Sequence, residues 1–401
     1  MQQQTGMQLA AKLKKRLDSQ HLNLLSIAWK MLVNSRKRFI GMSVGATFSA
    51  FIIMQQYGIY QGVTDRIVAP IQAIQAADLW IMGESSFAFD QPTYFQPMDL
   101  YRIRSVPGVR WATQMYRTWY SIKNLSTQKT LIWELIGVDP KLLLGLPETM
   151  LTGDRASILH ANAIVVDGYS LKQLETADKK TIQINDKMLV GRKTWTVTAV
   201  TKPLRTYAVQ PKAYIASTHL PNPAYTPSFI LVKVKPSANI KQVASNIHKM
   251  THFIALTPAE FINRSNEFFR QKTPIIIIFI VVAIVGFAIG LVMMWQIFSN
   301  FVLTHLHQFG MLKMLGVSNR SLINMVLFQG IITGGVGYMA GLFLSVLFGF
   351  IFYDTTVAFH LTWKIALLGL LGSAMVIVFS AYFAVLKVLR LDTVELCRDT
   401  N

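Results

Sequence analysis

Two histidines four residues apart, His248 and His252, come nearest in this sequence to a metal-ligand pair. On a helix such residues share a face and can both reach a zinc ion, but no carboxylate accompanies them as in H-E-x-x-H. His160 and His219, with Asp139, Asp154, Asp167 and Asp178, are scattered without ligand spacing. Ser170 lies in the run Asp167-Gly168-Tyr169-Ser170-Leu171, which lacks the second glycine of a nucleophile elbow. Gly310 and Gly316 bracket the residues MLKML, which is the wrong spacing for a phosphate-binding loop, and no Lys-Ser or Lys-Thr follows. The single cysteine, Cys397, permits neither an intrachain disulfide nor a Cys-based zinc site. The sequence therefore predicts no catalytic residues, no metal and no directly bound cofactor; any ATP used must be hydrolysed by a partner.

The elements around these residues are dominated by membrane-sized apolar runs. Of 401 residues 52% are hydrophobic and 15% charged, against roughly 25% charged in an ordinary soluble domain. A bilayer span needs about 20 mostly apolar residues. Pro274 to Phe298, Leu322 to Phe352 and Ile365 to Leu386 contain no charge, and Phe39 to Tyr60 is uncharged though diluted by Gln55 and Gln56. For this first run a cleaved signal peptide is the competing reading, but the basic region before it is long and the apolar stretch exceeds a signal peptide's core. The spans carry no ionisable residue in their interiors, which disfavours ion coupling through the bilayer.

The formal net charge is +19, and its placement decides its meaning. Lys12, Lys14, Lys15, Arg16, Lys30, Arg36, Lys37 and Arg38 precede the first span with Asp18 as the only acid; Lys313 and Arg320 lie between the second and third spans; Lys387, Arg390 and Arg398 follow the fourth. By the positive-inside rule both termini and the 299–321 segment are expected in the cytoplasm. Nucleic acid is not expected, because the only dense basic cluster adjoins a span. The predicted fold class is an α-helical integral membrane protein with four transmembrane helices plus a mixed α+β extracytoplasmic domain between helices 1 and 2. The boundaries are 1–38 (cytoplasmic, with an amphipathic interfacial helix), 39–61, 62–272 (outer domain), 273–298, 299–321 (coupling segment), 322–352, 353–364 (short outer loop), 365–386 and 387–401 (cytoplasmic tail).

Within 62–272, Ala77 to Met82, Arg110 to Ile122, Thr130 to Val138, Ala163 to Val166, Thr194 to Val200 and Phe229 to Val234 read as strands. Asn185-Asp186 and Gly191-Arg192 read as hairpin turns. Met98 to Ser105, Ser170 to Glu175, Ile240 to Met250 and Pro258 to Arg270 read as helices, the last with Thr257 as N-cap. Before the first span, Leu22, Leu25, Trp29 and Leu32 fall on one helical face, as in a helix lying in the membrane interface; the alternative is a cytoplasmic extension of the span. In His305 to Arg320, Phe309, Leu312 and Leu315 form a helical stripe, Gly316 supplies a stop, and Ser318 or Asn319 can cap the next helix. Such a short helix suits docking in a partner's groove; the alternative is a helix resting on the membrane. Gly41, Gly45 and Ser49, then the pairs Gly286/Gly290, Gly330/Gly334 and Gly337/Gly341, place small residues four apart for close helix packing, within the chain or between two copies.

The order of one span, a large outer domain and three spans, with His307 to Ser318 (HQFGMLKMLGVS), resembles the MacB/FtsX superfamily of ABC transporter permeases. The DevC type is the nearest in resemblance, through Thr273-Pro274, the V-x-x-W-Q-I-F stretch at Val292 to Phe298, Leu24 to Leu32, Val106 to Val109, and Leu391 to Leu396. The resemblance implies a non-catalytic permease in a bacterial inner membrane, a homodimer served by a separate ABC ATPase. It also implies a periplasmic adaptor and a TolC-like outer-membrane channel, with export of cargo by transmitted motion. By position, His307, Gln308, Phe309, Gly310, Leu312, Lys313, Leu315 and Gly316 would form the segment that couples to the ATPase. The family's usual Arg-Glu pair is here His307-Gln308, so the ionic contact expected there is absent. An FtsX-like relay that activates an extracytoplasmic cell-wall hydrolase, and lipoprotein release, are the rival functions of the same architecture.

Overall fold

The computed structural model describes residues 24–171, 182–208, 210–221, 226–315, 317–353 and 355–389. Leu22, Asp178, Gly316 and the tail with Cys397 lie outside them. The chain divides into two compact units, one of residues 1–62 and 276–401 and one of residues 63–275.

In chain order, α1 (Leu24–Asn34) precedes α2 (Arg36–Gln72). The middle unit then contains β1 (Leu79–Met82), α3 (Pro97–Arg104), β2 (Val109–Asn124), β3 (Thr130–Val138), β4 (Met150–Thr152), β5 (Ala163–Asp167), β6 (Lys187–Val190), β7 (Lys193–Thr201), β8 (Lys212–Ala216) and β9 (Phe229–Val234). It closes with α4 (Ile240–Thr251), β10 (Ile254–Leu256) and α5 (Pro258–Lys272). Four helices follow: α6 (Ile275–Thr304), α7 (Leu306–Met314), α8 (Asn319–Ile351) and α9 (Trp363–Leu389).

The middle unit is a mixed sheet in the order β10-β1-β9-β2-β3-β8-β5-β7-β4, with β6 bridging β2 and β7. Strand β2 organises it: Val109 to Met115 pair antiparallel with β9, and Tyr116 to Lys123 pair antiparallel with β3. The β3–β8 and β5–β7 pairs are parallel. Trp80, Phe229 and Phe261 meet in the core with ring centroids 5.5 to 6.0 Å apart. The cap of α5 follows from its sequence: the Thr257 hydroxyl accepts from the Glu260 amide while the Glu260 carboxylate accepts from the Thr257 amide, and Pro258 needs no donor there.

The helices that carry the first two spans are longer than the apolar runs themselves. The first continues past residue 61 to Gln72, and Ile71 belongs to the sheet core. The second continues past residue 298 to Thr304. Strands β4, β6, β8 and β10, of three to five residues each, were not expected, and β8 (KAYIA) is buried along its whole length. Gly191-Arg192 does form the two-residue hairpin between β6 and β7, whereas Asn185, in the left-handed region, only turns the chain into β6.

In the helical unit, α2, α6, α8 and α9 are each long and apolar enough to cross a membrane. On α6, Ile277, Ile280 and Ile284 are 62%, 52% and 60% exposed, a continuous apolar surface that is stable against lipid rather than water. The glycine patterns are used within the chain. Gly41 lies against Ile297, Gly290 against Ser49, and Gly286 against Ile52, so α2 packs on α6; Gly330 and Gly334 lie against Ile377 of α9. Gly337 and Gly341 of α8 meet the backbone of α2: a Cβ on Gly337 would lie 2.7 Å from the Ser43 carbonyl oxygen. Backbone cannot move aside as a side-chain tip can, so Gly337→Leu is expected to lower the yield of folded protein severalfold in detergent gel filtration, while the substitution at Gly335, with open space around it, is expected to be silent.

Candidate functional site

The middle unit contains no reactive constellation among its described residues. No group of three or more His, Cys, Asp or Glu residues comes together to hold a metal. His252 is the C-cap of α4 in the left-handed region, with its amide donating to the His248 carbonyl, so the two rings do not occupy successive turns of one helix. Ser170 is buried; its hydroxyl accepts from the Lys212 amide at 2.7 Å and is 3.3 Å from Asp167. Asp167 itself accepts amides from Tyr169, Ser170 and Leu204, so this pair caps backbone rather than activating a nucleophile.

The buried charge cluster around Arg117 is also structural. Arg117 Nε donates to Glu134 Oε1 at 2.5 Å and Nη2 to Asp90 at 2.7 Å, while the guanidinium also lies over the rings of Phe89 and Trp119. Lys212 Nζ stands 3.5 Å from Glu134 Oε2, an ion-pair distance at which Oε2 gains no hydrogen bond. Two cations face two carboxylates, and the adjoining cavity of about 20 Å³ is too small for a substrate. Burial raises the Asp90 pKa against the lowering effect of Arg117, and burial raises Asp167 likewise. A carboxyl whose pKa is higher in the folded than in the unfolded state stabilises the fold below its folded pKa, and that contribution falls as pH rises through it. Asp90→Asn is therefore expected to flatten the decline in melting temperature as pH rises from the ordinary carboxylate value of about 4, measured on the full chain at several pH values.

The segment with a functional geometry is α7 and its surroundings. Phe309, expected on a docking stripe, is instead buried among Phe298, Phe301, Leu322 and Met325, and it anchors α7 to the helical unit. Leu312 is half-buried against the same cluster. The stripe therefore divides: Phe309 and Leu312 turn inward, while Leu315 is 81% exposed and Met311 and Met314 are exposed beside it. His307 and Gln308 are exposed, Lys313 is half-buried and Gly310 is buried. The two methionines gave no periodic signal because they fall between the expected stripe positions.

Helix α1 belongs to the same core. Ala28, Met31 and Leu32 are buried in it, whereas Leu25 is half-buried and Trp29 exposed, so the inward face is rotated from the expected one. Two side-chain bonds fasten α1. Gln329 Nε2, fully buried on α8, donates to the Ala28 carbonyl at 2.9 Å. Ser35, at the break between α1 and α2, bonds the Nε2 of His305, at the break between α6 and α7, at 3.1 Å. The other His305 ring nitrogen faces the Phe301 carbonyl at 2.9 Å; since a carbonyl only accepts, Nδ1–H donates there, and in the neutral ring Nε2 accepts from the Ser35 hydroxyl. Sequence reasoning missed His305 and Ser35, because residues 270 positions apart carry no local signal.

These features define a multi-pass membrane protein whose short helix between two spans presents an apolar tip. Residues 277–393 match the FtsX-like permease C-terminal family, and this part of the chain is an FtsX-like permease domain. No curated protein matches the sequence. Solved structures with a likeness include the extracellular domain of the noncanonic ABC-type transporter YknZ from Gram-positive bacteria, at 14% identity and a TM-score of 0.33, covering 45% of this chain and 99% of that one. The periplasmic region of MacB from Actinobacillus actinomycetemcomitans gives 13% identity and a TM-score of 0.35, covering 49% and 95%. A permease domain from Porphyromonas gingivalis gives 14% and 0.33, covering 45% and 91%.

Proposed function

We propose that this chain is the permease subunit of an ABC exporter, which transmits the ATP-driven motion of a separate ATPase to the 63–275 unit on the far side of the membrane. The observation that supports this reading is the geometry of α7. Phe309 fixes the helix to the spans while Met314 and Leu315 present apolar surface outward. A short rigid helix with an apolar tip fits a partner's groove and moves with the spans behind it. The absence of a phosphate-binding loop from the sequence requires that ATP be bound elsewhere.

The basic flanks of the spans support a cytoplasmic position for α7 and both termini, with the sheet unit outside. The DevC-like stretches favour a bacterial inner membrane, a second copy of the chain, a periplasmic adaptor and a TolC-like channel. The test is purification of the tagged full chain in mild detergent from its native host, with identification of bound chains. An ATPase at near-stoichiometric amount together with an adaptor is the expected result. A chain that conducts or catalyses alone, with no nucleotide-binding companion, would overturn the proposal.

A further inference from the structure

A groove of about 770 Å³ lies between α1 and α7, with Ile27, Val33, Trp29 and Met311 among its apolar lining residues and Lys30 and Arg36 among its polar ones. We propose that it binds one anionic phospholipid, whose phosphate sits between Lys30 and Arg36 and whose acyl chain starts along Ile27, Val33 and Met311.

Position, charge and rigidity carry the inference. Arg36 opens the membrane-capable helix α2, and His305, which also lines the groove, follows the last residue of the membrane-capable α6. The groove is therefore at the ends of two spans, the level at which lipid headgroups lie. No carboxylate is among its described lining residues, and neither Lys30 nor Arg36 has an ion-pair partner among the described residues, so two cations face an apolar hollow without a counter-charge. A basic pocket beside spans suits an anionic headgroup. The walls are held apart rather than free to collapse: Gln329 fixes the Ala28 carbonyl, and the Ser35–His305 bond fixes the two helix junctions. A volume of that size takes a headgroup and the first part of one acyl chain, with the remainder in the bilayer. The inference rests on the membrane character of the helices and not on the ATPase.

The test uses quenching of Trp29, which is 48% exposed. The full-length protein in detergent is titrated with phosphatidylglycerol brominated on its acyl chains, and separately with equally brominated phosphatidylcholine; the same titrations on Trp29→Phe isolate the Trp29 signal. Phosphatidylglycerol is expected to quench Trp29 at a much lower mole fraction than phosphatidylcholine. In the doubly substituted Lys30→Gln, Arg36→Gln protein its apparent affinity is expected to fall about thirtyfold, towards that of phosphatidylcholine. Both substitutions are at exposed positions, and gel filtration confirms that the variant is folded. Equal quenching by the two lipids, or an unchanged titration in the variant, would overturn the proposal. So would displacement by inorganic phosphate, which would mark a bare anion site, or shielding of Trp29 by a co-purified protein, which would give the groove to that partner.

Discussion

Glu134→Ala is expected to destabilise the sheet unit by about 3–5 kcal/mol, because it leaves Arg117 and Lys212 buried without their shared carboxylate. Arg117, Glu134 and Lys212 have side-chain exposures of 3%, 1% and 4%. Asp90 continues to pair with Arg117, through Nη2, but is itself 36% exposed. Strands β3 and β8 are joined by backbone pairing of Glu134 with Lys212, so the loss falls at the seam of a parallel pair. In fluorescence-monitored unfolding of the full chain the transition should move down by roughly 6–20 °C. Glu134→Gln keeps an acceptor for Arg117 and should cost less. The combined Arg117→Met, Glu134→Leu, Lys212→Met protein should fall near the native value, since removing all the charges removes the uncompensated ones. A single-alanine variant as stable as the native protein would show that these charges are not interdependent.

Such a cluster was invisible beforehand, and the reason is general. Glu134 is a single carboxylate in an apolar strand, where a charge suggests a solvent-facing position, and only the burial of consecutive residues Trp133 to Val138 shows that both faces are covered. The spans, by contrast, were legible because lipid imposes a length and a composition on each helix independently of its neighbours. The long strands β2, β3, β7 and β9 were legible through β-branched and aromatic runs. The short strands β4, β6, β8 and β10 owe their conformation to sheet partners and carry too little pattern of their own. At α7 the sequence showed an apolar stripe but could not divide it. Phe309 and Leu315 are six positions apart and look equivalent in spacing, yet one is 1% and the other 81% exposed, since the core of five other helices claims the first. The glycine patterns had the same ambiguity: spacing marks a close approach and leaves open whether the approaching helix is on this chain or on another.

That division of the stripe decides how the docking role is to be tested. Substituting Leu312 with Leu315 would confound two effects, because Leu312 packs against the buried cluster. Met314 and Leu315 are 58% and 81% exposed, so Met314→Asp, Leu315→Asp changes the presented tip and leaves the anchor alone. If the tip enters an apolar groove of the ATPase, burial of Leu315 contributes about 1.5–3 kcal/mol, and a carboxylate in its place adds a desolvation cost of its own. Each 1.4 kcal/mol is about tenfold in affinity, so ATPase recovery with the tagged chain should fall at least about tenfold. The melting temperature of the purified chain should stay within about 2 °C, as expected for exposed positions. Phe309→Asp is the counterpart: it should lower the folded yield itself, through burial of an unpaired charge among Phe298, Phe301 and Met325. Full ATPase recovery with the Met314, Leu315 variant would remove α7 from the coupling interface, and the exposed apolar tip would then be read as a membrane contact.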